Sequence, residues 1–267
     1  MCLLSSLIGI RLSTSLETRA LTVNFGGHVA VNQVSCAFAP GTLTAIVGPN
    51  GAGKTTYFNL ISGQLPITSG QVLLHGQDLT QENAATRAQR GLGRAFQLTN
   101  LFPRLSVLEN VRLAIQARHK LGVQIFSTWF SHRVLIEEAE QILEQISLGG
   151  RRDTPAAELP HGDQRKLEVG LLLAMKPDVF MFDEPTAGMS HDEAPVILDL
   201  IATIKQQKDK TILLVEHKMD VVERLADRII VLNQGQLVAD GEPAAVMQSK
   251  MVQEAYLGIA ATEGAAA

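Results

Sequence analysis

The sequence predicts an α/β domain built on a mostly parallel sheet, with antiparallel β-structure near the chain ends and an inserted all-helical part. Three observations carry this. Continuous apolar runs such as VFMF (179–182) and TILLV (211–215) belong in strands covered on both faces, as parallel strands between helices are. Closely spaced strand runs joined by glycine turns, NFGGHVAV and LNQGQLVADG, read as antiparallel hairpins. From about Thr99 to Glu158 the strand signal vanishes and helical periodicity replaces it, as an insertion of about sixty residues would require.

Strands are expected at residues 21–25, 29–39, 43–47, 71–75, 93–97, 179–183, 211–215, 228–232 and 236–239. Helical patterns fall between them, at 54–61, 107–117, 133–146, 166–175, 195–205 and 218–225. Residues 16–258 then form one domain, with the helical part inserted at about 99–164. The opening MCLLSSLIGI has no basic residues before its apolar run, so it is a poor secretory signal. Residues 1–15 are read as a frayed extension and 259–267 as a disordered tail.

Composition narrows the function. A chain of 267 residues with 46% hydrophobic side chains can bury a core without covalent staples. Two cysteines, Cys2 and Cys36, supply neither a disulfide framework nor a CxxC metal site, and a reducing cytoplasm is the expected compartment. A net charge of −4 without any basic block disfavours nucleic acid as a partner. No apolar run approaches the roughly 18 residues of a membrane span.

The strongest motif is Gly48-Pro49-Asn50-Gly51-Ala52-Gly53-Lys54-Thr55, which fits GxxxxGK[ST]. Chance would produce such a match in about 1% of chains this long. It follows the apolar run TLTAIV and precedes the helical KTTYFNLIS, with Thr56 next in line. Glycines let a backbone wrap phosphate oxygens; Lys54 would reach the β- and γ-phosphates, and Thr55 would bind Mg²⁺. The chain is therefore expected to be a P-loop nucleotide-binding protein with ATP and Mg²⁺ as ligands.

A second element should place carboxylates beside that loop, and VFMFDE ends a buried strand with Asp183 and Glu184. Ligands collect at the C-terminal ends of parallel strands. Asp183 would hold Mg²⁺, and Glu184 would act as general base on the attacking water. His217 ends the next strand, in ILLVEH, within reach of a γ-phosphate at the same sheet edge.

Together the P-loop, the helical insertion, LPHGDQ heading a helix, DEPTAG and the histidine after the next strand resemble an ABC-transporter ATP-binding subunit, from Leu16 to Gly258. GLGRAFQLTNLFPRLSVLENV (91–111), DEPTAGMS (183–190), VEHKMDVV (215–222) and VQEAYLG (252–258) are similar to the ATPases of branched-chain amino acid importers. The resemblance implies a RecA-like sheet with an antiparallel β subdomain and a helical subdomain. It implies that Phe25 stacks on adenine and that Gln97 touches Mg²⁺ and the attacking water. Asn100, Leu101 and Phe102 become candidate contacts to a membrane permease. It also implies a peripheral protein at the cytoplasmic face of the inner membrane, paired with a second ATP-binding subunit and served indirectly by a periplasmic binding protein.

LPHGDQ (Leu159, Pro160, His161, Gly162, Asp163, Gln164) stands where the family carries its LSGGQ signature, which completes the ATP site of the opposite subunit. Pro160 lacks the usual serine hydroxyl, His161 is a substitute donor, and Asp163 is expected to repel the nucleotide. A second departure is Ser190, where the family's dimer-contact loop usually ends in aspartate. Other readings stay open: a same-family ATPase for another solute such as urea, a soluble ABC protein of translation or DNA repair, or a P-loop kinase. Translation types generally carry two cassettes and repair types long coiled coils, and a kinase leaves LPHGDQ and His217 unexplained.

Overall fold

Alternation between buried faces organises the chain. The computed structural model describes residues 14–95, 101–119, 129–189, 193–249 and 252, with the side chains of 129–132 excepted. In chain order the first elements are β1 (Leu16–Phe25), β2 (His28–Phe38), β3 (Leu43–Val47), α1 (Lys54–Ser62), β4 (Ser69–Leu74), β5 (Gln77–Asp78), α2 (Ala84–Gln89) and β6 (Leu92–Ala95). Three long helices follow, α3 (Val107–Arg118), α4 (Trp129–Gln145) and α5 (His161–Met175). The chain then returns to the sheet through β7 (Val179–Asp183), α6 (Ala194–Gln206), β8 (Thr211–Val215), α7 (Met219–Leu225), β9 (Arg228–Asn233), β10 (Gln236–Gly241) and α8 (Pro243–Met247).

Every residue of β3, β7 and β8 is buried, as the continuous apolar runs require of strands covered on both faces. They sit inside a six-stranded sheet of order β10-β9-β3-β8-β7-β6. All its pairings are parallel except that of β10 with β9. Successive side chains point to opposite faces. Phe180, Phe182, Ile212 and Leu214 thus join the helical layer with Val111, Ile142 and Leu167, while Val179, Met181, Leu213 and Val215 meet Phe38, Phe58 and Val72. A second, antiparallel sheet of order β2-β1-β4-β5 covers that other face.

The parallel register aligns the strand ends. Ile46 lies opposite Val215, and Asp183 opposite the same residue, so Gly48, Glu184 and His217 all leave the sheet at one edge. The helical part is held by caps as well as packing: Glu109 N donates to Ser106 Oγ at 3.2 Å, the N-cap contact typical of serine.

Several boundaries differ from expectation. Ser15, read as part of the frayed extension, is buried and its amide donates to Phe38 O at 3.0 Å, because β1 begins at Leu16, paired on both sides with Phe38 and Leu74. α5 begins at His161 rather than at 166, with Pro160 as its N-cap. Proline suits a helix start, where its missing N–H has no intrahelical partner. β5, α2 and α8 were not anticipated.

Candidate functional site

The 48–56 loop owes its path to three glycines at positive φ: Gly48 (+151°), Gly51 (+77°) and Gly53 (+95°). Two of them also touch other strands. A Cβ on Gly48 would lie 2.1 Å from Leu232 O, and one on Gly53 2.5 Å from Ala30 O. The loop is thus wedged between the ends of β9 and β2 and opens into α1. Lys54 Nζ donates to Gly48 O at 2.7 Å and Pro49 O at 2.9 Å, which holds the ammonium over the loop. Burial lowers its pKa, opposed by the nearby Glu184 and Asp183 carboxylates.

A cavity of about 280 Å³ is bounded by His28, Asn50, Lys54, Thr55, Glu184 and His217, with Gly51, Ala52, Gly53 and Thr56 on its floor. Phe25 does not line it. Phe25 is 47% exposed, and its backbone pairs with His28, which does line the cavity.

Across the cavity, Glu184 adopts φ +49°, a backbone region disfavoured for side chains larger than glycine. Its amide donates to Val215 O at 3.0 Å, which ties the turn to β8. Glu184 Oε1 lies 2.7 Å from His217 Nε2. Asp183 is different: its side chain is fully buried, and Arg94 donates to its Oδ2 at 2.8 Å. Burial raises the Asp183 pKa, with Arg94 the largest opposing influence. Asp183 Oδ1 is buried without a hydrogen-bond partner. An orphaned carboxylate oxygen and the Thr55 hydroxyl are hard oxygen donors of the kind Mg²⁺ takes, so the residues present fit that ion.

Two residues that the sequence reading passed over complete the site. Arg94 is an arginine inside a buried strand; besides Asp183 it donates to Asn59 Oδ1 (2.6 Å), Ser62 Oγ (2.9 Å) and Gln64 Oε1 (2.9 Å). It thereby clamps α1 to β7. Its signal was legible, since a charge in the middle of a parallel strand needs a partner. The second is Glu216, buried immediately before His217.

The LPHGDQ turn lies elsewhere: none of Leu159–Gln164 borders the loop cavity. Leu159 is buried, and Gln164 Nε2 donates back to its carbonyl at 3.0 Å. Pro160 and His161 are exposed. A Cβ on Gly162 would meet Glu193 Oε1 at 2.1 Å. Asp163 is ion-paired: Lys166 Nζ lies 2.8 Å from its Oδ1 and Arg151 Nε 3.2 Å from its Oδ2. Those cations neutralise it locally.

Gln97, Asn100 and Ser190 lie outside the described residues. Leu101 packs against the helical core, whereas Phe102 is 56% exposed. Phe102 N donates to Asn110 Oδ1 at 2.8 Å, and Asn110 Nδ2 donates to Phe102 O at 3.1 Å. The buried Asn110 amide thus fixes the backbone that presents Phe102.

Comparison with known proteins agrees with this geometry. The family model described as ABC transporter matches residues 31–187, from β2 through the DEPTA turn. The high-affinity branched-chain amino acid transport ATP-binding protein LivG of Escherichia coli strain K12 is 36% identical over 248 residues, spanning 91% of this chain and 97% of the relative. BraF of Pseudomonas aeruginosa, described in the same terms, is 36% identical over 250 residues with the same coverage. A crystal structure of a nucleotide-free ATP-binding cassette from an ABC transporter superposes with a TM-score of 0.78 at 29% identity, covering 91% of this chain and 98% of that one. The ADP conformation of an ATP-binding cassette superposes at 0.76, also at 29% identity, covering 92% and 99%. With a glycine loop at the start of α1, a carboxylate–histidine pair facing it and relatives matched over 91% of its length, this chain belongs to the ABC transporter family as one of its ATP-binding cassettes.

Proposed function

We propose that this chain is the ATP-hydrolysing subunit of an importer for branched-chain amino acids, acting at the cytoplasmic face of the inner membrane on separate permease subunits. The observation that carries the ATPase reading is the Glu184–His217 pair, 2.7 Å apart, on the cavity that Lys54 also lines. The solute is inferred from the similar proteins LivG and BraF, which are branched-chain amino acid transport ATP-binding proteins. Among the described residues no helix is long and apolar enough to cross a membrane, so in this reading other chains carry the solute.

The residues divide the work. The amides of the 48–56 loop and the N-terminal end of α1 receive the phosphates, and Phe25 offers its exposed face to adenine. Lys54 exchanges two loop carbonyls for phosphate oxygens. Thr55, Asp183 through Oδ1, and Gln97 would hold Mg²⁺, which when bound offsets the charge of the triphosphate. Glu184 takes the proton of the attacking water, and His217 orients Glu184 and faces the γ-phosphate.

No group in this half-site comes from LPHGDQ, which supports a second subunit, a copy or a paralogue, whose own LPHGDQ helix closes over the nucleotide. Closure is then a population shift driven by ATP and released by hydrolysis. The exposed Phe102, whose backbone is hydrogen-bonded on both sides by the Asn110 amide, supports the reading of that corner as a permease contact.

Co-expression with candidate permease subunits and reconstitution into liposomes tests the whole proposal. ATP-dependent uptake of leucine, isoleucine and valine is expected, with a periplasmic binding protein supplied on the opposite side. Uptake of urea instead would reassign the solute. A protein that binds no permease and phosphorylates a metabolite would overturn the proposal.

The signature turn yields a second expected result. With Asp163 neutralised by Lys166 and Arg151, the helix start can face an anion, and His161 is its only side-chain donor among residues 159–162. A hydrogen bond to a charged oxygen contributes about 1.5–3 kcal/mol. His161→Ala should therefore weaken ATP-driven dimerisation by at least roughly tenfold, and Pro160→Ser should strengthen it. Light scattering of a slowly hydrolysing variant with ATP reads both. An unchanged dimerisation constant in His161→Ala would leave that histidine as a turn residue.

A further inference from the structure

The catalytic pair stands on a buried carboxylate that neither base chemistry nor nucleotide binding uses. Glu216 is only 4% exposed, yet no cation among the described residues pairs with it. Its partners are three neutral donors. Thr186 Oγ donates to Oε1 at 3.0 Å, and the amides of His217 and Lys218 donate to Oε2 at 2.9 and 3.2 Å. Burying a carboxylate without a cation is unfavourable, and a serine or threonine could cap two amides more cheaply. Neither would reach across to a second turn. Glu216 does: it joins the backbone of the His217 turn to Thr186, two residues beyond Glu184.

That link matters because both members of the pair are weakly held by themselves. The His217 side chain is 41% exposed and that of Glu184 29% exposed. Glu184 sits in a disfavoured backbone region; its amide donates to Val215 O at 3.0 Å and its carbonyl accepts from Ala187 N at 3.1 Å. Thr186 is 2% exposed and marks the far side of the same turn. The two turns that carry the carboxylate and the imidazole are therefore cross-braced at two points, Glu184 N to Val215 O behind the pair and Thr186 to Glu216 beside it.

We propose that Glu216 is a positioning residue for ATP hydrolysis: through Thr186 and the amides of His217 and Lys218, it holds the His217 ring against Glu184. The proposal rests on the roles given above to Glu184 and His217.

The test uses the full chain and separates positioning from folding. Thr186→Val keeps the shape of the side chain and removes only the donor to Oε1. It should lower kcat by roughly tenfold, the effect of one hydrogen bond to a charged group, and leave ATP affinity within about twofold. Thr186→Ser should restore kcat to within about threefold, since the hydroxyl returns. Glu216→Ala should lower kcat by more than Thr186→Val, and Glu216→Gln, which can still span both turns, by less. NMR of ¹⁵N-labelled histidine should show the His217 ring signals moving in Thr186→Val and returning in Thr186→Ser, a response that a loss of general stability would not give.

His217→Ala is the control for the underlying reading. If it hydrolyses ATP like the parent chain, the role of His217 falls and the proposal with it. If His217→Ala is impaired while Thr186→Val keeps full kcat and unmoved ring signals, the positioning proposal alone is overturned. Equal losses of kcat and ATP affinity in Thr186→Val, without rescue by serine, would likewise overturn it. Should Glu216→Ala fail to fold, the Thr186 pair decides the matter.

Discussion

Glu184→Gln should abolish ATP turnover almost completely, with a fall of about 10²–10⁴-fold in kcat, the range expected when a general base is removed. ATP affinity should stay within about twofold, because the loop, Lys54 and Asp183 are untouched and the amide is close to isosteric. The two effects together have a structural consequence. If ATP drives two subunits together and hydrolysis releases them, a chain that binds but does not cleave should accumulate as an ATP-bound dimer. Phosphate release and light scattering, measured on the same sample, check both halves. The geometry makes the result sharp: Glu184 Oε1 is 2.7 Å from His217 Nε2 at the mouth of the loop cavity. The other carboxylate of the pair cannot substitute, since Asp183 Oδ2 is engaged by Arg94 and its side chain is fully buried. Turnover above about a third of the parent rate would place the base elsewhere.

How much of this was legible follows from the range of the interactions involved. The loop and the DE strand were readable because their signals are local: a glycine spacing, and runs in which every residue of β3 and β7 is buried. The edge they share followed from parallel pairing, in which Ile46 and Asp183 both lie opposite Val215. α2 was missed because its stability is tertiary. It has six residues, and its Arg87 is 1% exposed, donating to the carbonyls of Leu60, Ile61, Thr80 and Glu82. Its one local signal, the Asn83 cap that accepts from Thr86 N at 2.9 Å, was passed over, and propensity cannot report the buried guanidinium that also closes the end of α1.

Asp163 shows the same limit from the other side. Read alone, an aspartate at a phosphate-facing helix start is repulsive. Lys166 three residues on was visible as an i,i+3 partner, but Arg151 reaches Asp163 only because the chain before α5 folds back. Arg94 was present as a single letter within β6, and Glu216 as the residue just after β8. Each is a buried charge whose partners come from distant segments, Asn59 and Asp183 for one and Thr186 for the other. The groups that touch nucleotide in the proposed reading announce themselves by motif, whereas for the groups that hold them in place the sequence shows at most a charge in need of a partner, and only the fold shows which partner.

The loop glycines give the other large effect, and they should not behave alike. Gly53→Ala should lower ATP affinity by at least about 100-fold, whereas Gly51→Ala should lower it by less than about tenfold. Both residues have positive φ, +95° and +77°, and a left-handed alanine costs about 1–2 kcal/mol at either. The difference is space. At Gly51 a Cβ would meet nothing within 4 Å, so the strain is the main cost. At Gly53 the same atom would sit 2.5 Å from Ala30 O and 3.4 Å from Gly235 Cα, both of them backbone. Backbone cannot turn aside as a side chain can, so the loop must lift off β2. Gly53 is also the N-cap of α1, immediately before Lys54 and Thr55. A shift there displaces the ammonium, the hydroxyl and the first free amides of the helix together, and each hydrogen bond to a charged phosphate oxygen is worth about 1.5–3 kcal/mol. Titration with a fluorescent ATP analogue gives the two affinities, and thermal unfolding without nucleotide should place Gly53→Ala below Gly51→Ala. Equal affinities in the two variants would mean that the approach of Ala30 does not shape the loop.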